Sequence, residues 1–519
     1  MARSRGETWG SRFGVIAAVA GSAVGLGNFL RFPGVAVANG GGAFLLPYFV
    51  ALILIGIPLT WVEWTLGRHG GRHGLHSVPA ILGSVGGRFG RVVGMISLAI
   101  PFVVFTYYGL IEAWCLRYAV AYASGTIDLG VDPAGWAAAS SAQFASVSAV
   151  GADGAAFAMR LDAPWVFWAL VFGLNLWLLR VGLSGGIERF CRWAMPAMAI
   201  CAVVVLLRVL TLGTPDPAFP ERNVLAGLGY LWNPNPSRLA DFDTWMAAAG
   251  QVFFSLSLGF GVIVNYASYL KAKDDVVLTG LTAAATNEVF EVGFGGTLTV
   301  TAAFVFLGAS GTTGGTFGLG FETLPIVFAA MGPVGRLVGL VWFSMLFLAA
   351  ITSSLSMLQP LKAYLEERSP LVGRHAVLVI AGVAGLGSLW VMYFSHGLHA
   401  LDTLDFWIGT FAVFVLGASE LILFAWIFGV DRGLSEAAEG AEMALPRGLR
   451  FVLRWVAPGY LSVVLLGFVV QRLPDKLRLL ASEPLGAATL AWVLGLLAAL
   501  VLATRRSRAA VALPEGESS

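Results

Sequence analysis

The sequence predicts an all-α polytopic membrane protein with twelve transmembrane helices. Composition is the first reason: of 519 residues, 57% are hydrophobic and 12% charged, and the mean hydropathy is +0.80. A soluble domain carries about 25% charged residues, and a chain this long could not cover a water-facing surface with so few. Charge balance is the second: the formal net charge is +2, so no broad basic face exists to hold a phosphate backbone, and nucleic-acid binding is excluded. The third is the recurrence, twelve times, of apolar runs near the roughly 20 residues needed to cross hydrocarbon.

The runs fall at about 13–38, 42–68, 91–123, 165–182, 190–213, 242–270, 276–308, 337–366, 375–395, 400–429, 449–471 and 484–504. The first follows Arg3, Arg5 and Arg12 but continues too far, without small-residue cleavage signals, to be a removable leader, so it is expected to stay as a span. Cys115, Cys191 and Cys201 lie inside apolar runs and form no disulfide framework. Between runs, 124–164 is rich in Ala, Ser and Gly and reads as a long loop, 214–240 is broken by Pro215, Pro217, Pro220, Pro234 and Pro236, and 309–325 is rich in Gly and Thr. An even span count puts both termini on one side. That side holds 22 of the 32 Lys and Arg residues, which predicts a multi-pass protein of the plasma (inner) membrane with both termini cytoplasmic. The lysines are Lys271, Lys273, Lys362 and Lys476, and none follows a glycine. A phosphate-cradling Gly-Lys-Ser/Thr loop is therefore absent, and any uphill work must draw on a gradient.

Two spans are interrupted. The first carries Gly21-Ser22-Ala23-Val24-Gly25-Leu26-Gly27-Asn28 in its middle, and the sixth carries Ser255-Leu256-Ser257-Leu258-Gly259-Phe260-Gly261. Each glycine weakens a helix by about 1 kcal/mol relative to alanine. Unwound backbone at membrane depth must face protein or a cavity, because lipid cannot satisfy it. A half-helix start offers amides to an anion, and a half-helix end offers carbonyls to a cation. One such span, with Gly21 and Gly25 four apart, reads as close helix packing. Two in matching positions, with Asn28, Ser255 and Ser257 embedded, read as a transporter binding site.

Long stretches then resemble one family. They are Ala20 to Pro33 (AGSAVGLGNFLRFP), Asn39 to Tyr48 (NGGGAFLLPY), Gly250 to Gly261 (GQVFFSLSLGFG), Tyr266 to Tyr269 (YASY), Asn287-Glu288, Thr352-Ser353-Ser354 and Asp405-Phe406-Trp407. Across all twelve spans the chain resembles the neurotransmitter:sodium symporters, especially bacterial amino-acid carriers of the leucine-transporter fold. The resemblance implies one transporter domain over 1–519: two inverted five-helix repeats, over 12–213 and 242–429, and two further helices within 447–505. It implies alternating-access symport of sodium with a neutral, hydrophobic amino acid, no enzymatic activity, no organic cofactor, and a lipid-embedded chain compatible with a homodimer. A sensor or scaffold that kept the fold without net transport is the alternative. A channel fits poorly with an aromatic-lidded pocket.

Residue by residue, the resemblance implies two sodium sites, and sodium, a hard cation, prefers oxygen. One would use the Ala23 carbonyl, Asn28, Ser255, Asn287 and the substrate carboxylate. The other would use carbonyls of Gly21, Val24 and Ala349 with the hydroxyls of Thr352 and Ser353. Read alone, Thr352-Ser353-Ser354 is equally a set of hydroxyls bonding back along their own helix. The substrate carboxylate would meet the Leu26 and Gly27 amides and the Tyr108 hydroxyl, with Gly25 standing where monoamine carriers have an aspartate. Val104, Phe254, Ser255, Ser257, Phe260, Ser353 and Met357 would line the rest. An Arg31–Asp405 ion pair would form an outer gate above Tyr108 and Phe254. Arg5 and Glu367 would form an inner one with Trp9, Tyr269 and Gln359.

Glu291 lies four residues after Asn287 on the same helix face. Chloride-dependent relatives have a small polar residue there, so a resident carboxylate implies chloride-independent transport, with proton exchange at Glu291. Glu63, Glu112, Glu288 and Glu420 also fall at membrane depth and are expected to be structural, bonded to freed backbone or buried water. His69, His73 and His76 have metal-like spacing, but Gly70, Gly71 and Gly74 are expected to break any helix there and leave a loop.

Overall fold

The computed structural model describes residues 9–309 and 315–507, and among these there is no strand. Ten helices are long and apolar enough to cross a membrane: Gly42–Arg72, Val78–Ser124, Pro164–Val181, Leu183–Leu210, Val276–Leu307, Pro333–Arg368, Arg374–Tyr393, His396–Ala438, Leu449–Gln471 and Pro484–Leu502. The pair Phe13–Ala23 and Gly27–Ala38, bent by 44°, makes the first span. Phe242–Ser255 and Val262–Ala267 flank the second break. Each half of that sixth span is short, and counting each broken pair as one span gives the expected twelve.

Three boundaries differ from the expectation. The third span begins at Val78 rather than near 91, because a short helix joins it through a kink at Gly86-Gly87, where Gly87 has φ 58°. The second runs on through Arg72, so Gly70 and Gly71 are helical and the loop starts at His73. These glycines permit close approach: a Cβ on Gly67 would fall 2.4 Å from the Val264 carbonyl oxygen, and one on Gly71 2.1 Å from that of Ser268. Arg68 and Arg72 then tie this helix end to Glu436 and to neighbouring carbonyls. Finally, the expected loops contain short helices, Trp136–Ser148, Val224–Trp232 and Leu324–Ala330. Val224–Trp232 is capped by Asn223, whose side chain accepts from the Ala226 amide.

The core is built on Val78–Ser124 packed along Pro333–Arg368. Tyr118 and Phe343 stack across them at 4.5 Å, and Phe321 closes the group edge-on to Trp114. These two long helices carry Tyr108 and the Thr352-Ser353 pair past the breaks of the first and sixth spans. In the second break Gly259 and Gly261 have φ of 74° and 65°. Ser257, at φ 55°, is a non-glycine residue in the same left-handed region, a conformation costing of order 1 kcal/mol. Its hydroxyl donates to the Ser22 carbonyl at 3.2 Å, which ties the two breaks together.

Candidate functional site

The site begins where the first helix stops. Val24 ends the helix Arg12–Ala23 with an extended backbone, and the chain becomes helical again from Leu26. Amides at this restart have no helical partner and point outward. The Leu26 amide donates to the Tyr108 hydroxyl at 3.1 Å, and the Gly25 amide to Asn28 Oδ1 at 2.8 Å. A Cβ on Gly25 would lie 2.5 Å from Ser353 Oγ and 2.8 Å from Tyr108 Oη, so this corner accepts only glycine without rearrangement.

Asn28 opens a buried polar chain. Its Nδ2 donates to Asn287 Oδ1 at 2.8 Å, and Asn287 Nδ2 donates to Ser255 Oγ at 2.6 Å and to Glu291 Oε2 at 3.0 Å. Gln251 Nε2 donates to the other Glu291 oxygen at 2.8 Å. Spans one, six and seven are thus joined through buried side-chain polar groups. The Tyr48 hydroxyl donates to the neighbouring Glu288 at 2.9 Å.

A second oxygen-rich point lies across the first span. Ser353 Oγ reaches the carbonyls of Gly21 at 3.2 Å, Ser22 at 3.1 Å and Val24 at 3.5 Å. Thr352 packs against Gly21, but its hydroxyl donates to Leu348 and Ala349 carbonyls of its own helix, each at 3.0 Å. Both readings of this trio therefore appear in one place: Thr352 bonds back, and Ser353 faces the break.

Leu26, Gly27, Tyr108 and Phe254 form the floor of a cavity of about 400 Å³. Val104 lies one turn before Tyr108 and Met357 one turn after Ser353, both buried, and Phe260 meets Phe254 edge-on at 6.0 Å. Of the expected apolar lining, Phe254 borders this cavity, and Val104, Phe260 and Met357 are not among the residues that line it.

The sequence model of the Sodium:neurotransmitter symporter family matches residues 6–215 and 200–510. The chain belongs to this family. It is 29% identical over 470 residues to an uncharacterized sodium-dependent transporter of Methanocaldococcus jannaschii, covering 88% of this chain and 89% of that one. The sodium-dependent neutral amino acid transporter B(0)AT3 of Rattus norvegicus is 29% identical over 302 residues, 54% of this chain and 45% of its own. Among solved structures, MhsT in complex with L-phenylalanine superposes with a TM-score of 0.76 at 27% identity, covering 89% of this chain and 99% of that chain. The protein is therefore a sodium-dependent secondary transporter of the leucine-transporter fold, and not an enzyme.

Within this symporter frame the outer pair is not joined. Arg31 and Asp405 line the same cavity but make no ion pair. The guanidinium sits 4.4 Å above the Phe254 ring and donates to Gln251 Oε1 at 3.3 Å and Thr410 Oγ1 at 3.2 Å, while Asp405 accepts from the Tyr107 hydroxyl at 2.9 Å. Each charge has its own partners, and the cavity lies open between them. Tyr107 carried no sequence signal beyond its place beside Tyr108.

Of the inner pair only one member is described. Arg5 lies outside the described residues. Glu367 accepts the amides of His76 at 3.1 Å and Ser77 at 2.7 Å, satisfying free N–H groups at the start of the helix from Val78. Trp9 Nε1 donates to the Tyr266 carbonyl at 3.0 Å, Tyr269 stacks on His76 at 4.4 Å, and Gln359 Oε1 is buried without a hydrogen-bond partner.

Glu188, which the sequence did not single out, holds the start of the first helix. Its side chain is 1% exposed and accepts the Gly10 amide at 2.8 Å, the Ser11 hydroxyl at 3.1 Å and Arg192 at 2.7 Å. A carboxylate just before Arg189 and Arg192 looked like an ordinary helix-end charge in the sequence, which hid it. Glu188→Gln keeps the shape and removes the charge. It should speed hydrogen–deuterium exchange of the amides at 10–14, and unchanged exchange would count against the clamp.

The depth carboxylates are tied, but mostly to side chains. Glu63 accepts the freed Gly259 amide at 2.7 Å, as expected. Glu112 takes Asn175, Glu288 takes Tyr48, and Glu420 takes Ser97. His69 meets Glu436 and His73, while His76 is turned to Tyr269 and Ser268. Among the described residues no group of three or more His, Cys, Asp or Glu is placed to hold a metal.

Proposed function

We propose that the chain carries a neutral, apolar amino acid into the cell with two sodium ions, by alternating access and without chloride. One observation carries this reading. At Leu26 a half-helix start meets Tyr108 beside a glycine that has no room for a side chain, so the negative charge that this corner attracts must come with the substrate. The apolar residues below it suit an uncharged side chain. That MhsT is described with L-phenylalanine, and the rat relative is named a neutral amino acid transporter, supports the same class.

Direct contact of one sodium with the substrate carboxylate would make each ligand raise the other's affinity. Ala23, Asn28, Ser255 and Asn287 are the ligands we assign to that ion. Gly21, Val24, Ala349, Thr352 and Ser353 are those for the second, whose entry would require the Thr352 hydroxyl to turn from its own helix. Two charges falling through 100 mV release about 4–5 kcal/mol, roughly three decades of accumulation. In this reading 12–213 and 242–429 move as inverted repeats, Arg31 and Asp405 approach when the outer cavity closes, and both termini lie in the cytoplasm.

Glu291 supplies the buried negative charge beside the first ion set, which makes a chloride ion unnecessary. Replacing chloride by gluconate should leave initial uptake rates unchanged, and uptake that stops in gluconate would sink this part. The whole reading is tested by sodium-gradient-driven uptake in proteoliposomes with competition among amino acids. We expect accumulation that collapses when the gradient is dissipated and is competed best by apolar amino acids. Sodium-dependent binding without accumulation would instead mark a sensor.

A further inference from the structure

Arg68, near the inner end of span two, is 0% exposed. A buried charge is costly unless hydrogen bonds surround it, and here backbone carbonyls do so. Nη1 donates to the carbonyls of Asp274 at 2.7 Å and Glu439 at 2.6 Å, and Nη2 donates to that of Glu436. The Glu436 carboxylate stands 3.8 Å away. Asp274 lies in the loop after the second half of span six. Glu436 and Glu439 lie at the end of the short helix Val430–Ala438, the inner extension of span ten. Arg68 thus caps from outside the negative end of that helix. Arg72, one turn on, repeats the pattern: Nε donates to the Ala272 carbonyl at 3.1 Å, and Nη1 pairs with Glu436 at 2.7 Å.

Span two and the second half of span six form one body: Gly71 lies against the Ser268 carbonyl, and Asn265 Nδ2 donates to the His76 carbonyl at 2.8 Å. That body also holds the first half-helix. Trp9 Nε1 donates to the Tyr266 carbonyl at 3.0 Å, and the two rings meet edge-on at 5.2 Å. In a carrier that opens alternately, these inner half-helices must part from the rest of the chain. We propose that Arg68 is a positioning residue of the inner closure: its guanidinium fastens span two and the loop after span six to the helix Val430–Ala438. The inner side opens only when the three carbonyls are released. A lysine keeps the charge but presents a compact head in place of a planar fork of five N–H groups, so it cannot hold all three. The inference rests on the alternating-access reading above, but its test needs no transport, so a chain that failed to accumulate amino acids would leave the test intact.

Cys191 can report the opening. It is fully buried, and a Cβ on Gly21 would lie 3.4 Å from its Sγ, so the first half-helix covers it. Cys115, equally buried, lies in span three beyond Tyr108 and serves as the control. The full chain in lipid vesicles is treated with N-ethylmaleimide, and labelling of each cysteine is followed by peptide mass spectrometry. Losing one hydrogen bond to a charged group shifts an equilibrium about tenfold, so R68K should speed Cys191 labelling by about that factor and leave Cys115 unchanged. Cys191 labelling at the wild-type rate overturns the proposal, and so does a joint rise of both cysteines, which marks a loosened fold. If R68K does not fold, E436Q keeps the carbonyl and removes the charge that Arg68 and Arg72 face. It should also speed labelling of Cys191 alone, and an unchanged rate overturns the proposal equally.

Discussion

Replacing Asn28 by alanine should abolish the stimulation of amino-acid binding by sodium. Asn28 is fully buried and holds three elements at once: the Gly25 amide, Asn287 and, at 3.4 Å, Glu291. Alanine removes an oxygen that we assign to the ion nearest the substrate. It also leaves the Gly25 amide and Asn287 Oδ1 without their partner, each at about 1–3 kcal/mol. A ligand that binds the folded state raises its stability, so sodium should also raise the melting temperature of the variant less than that of the wild type. Undiminished sodium stimulation in a folded variant would remove Asn28 from the ion set.

Gly25→Asp should abolish high-affinity binding of amino acids. The new Cβ would fall 2.5 Å from Ser353 Oγ and 2.8 Å from Tyr108 Oη, so the Tyr108 hydroxyl must leave the Leu26 amide or the aspartate must displace it. Either way the place assigned to the substrate carboxylate is taken by a fixed one. Hydrogen bonds to charged groups are worth about 1.5–3 kcal/mol each, so losing two costs about 10²–10⁴ in affinity. The discriminating measurement compares an amino acid with the amine that lacks its carboxylate. Loss should be larger for the amino acid, and equal affinity for it in wild type and variant would refute the carboxylate's position at Leu26.

The fold was legible in the sequence to an unusual degree. Hydropathy alone counts the spans, since lipid demands long apolar runs with every backbone group satisfied inside them. The two breaks are visible because Gly21, Gly25 and Gly27, and Gly259 and Gly261, stand where an unbroken helix has no use for them. The position of Glu291 relative to Asn287 follows from helical periodicity, and the structure joins both to one network. Periodicity failed where glycines serve packing: Gly70 and Gly71 read as a loop, yet they let the second span lie against Ile81 and Ser268.

What stayed hidden are the partners of charged side chains. The partners of Arg31 and Asp405 depend on Gln251 and Phe254 of the sixth span, Thr410 of the tenth and Tyr107 of the third, brought together only by the fold. Glu367 accepts two backbone amides, of His76 and Ser77, that exist as orphans only once the helix from Val78 is built. Glu188 joins Gly10 and Ser11, 178 and 177 positions away. The sequence by itself determined the class of protein, the count of spans and the location of the breaks, because each of these is a property of local composition and periodicity. Tertiary structure alone decided which oxygens converge and which charges remain apart, because a long flexible side chain goes to whatever donor or acceptor the packing leaves within reach.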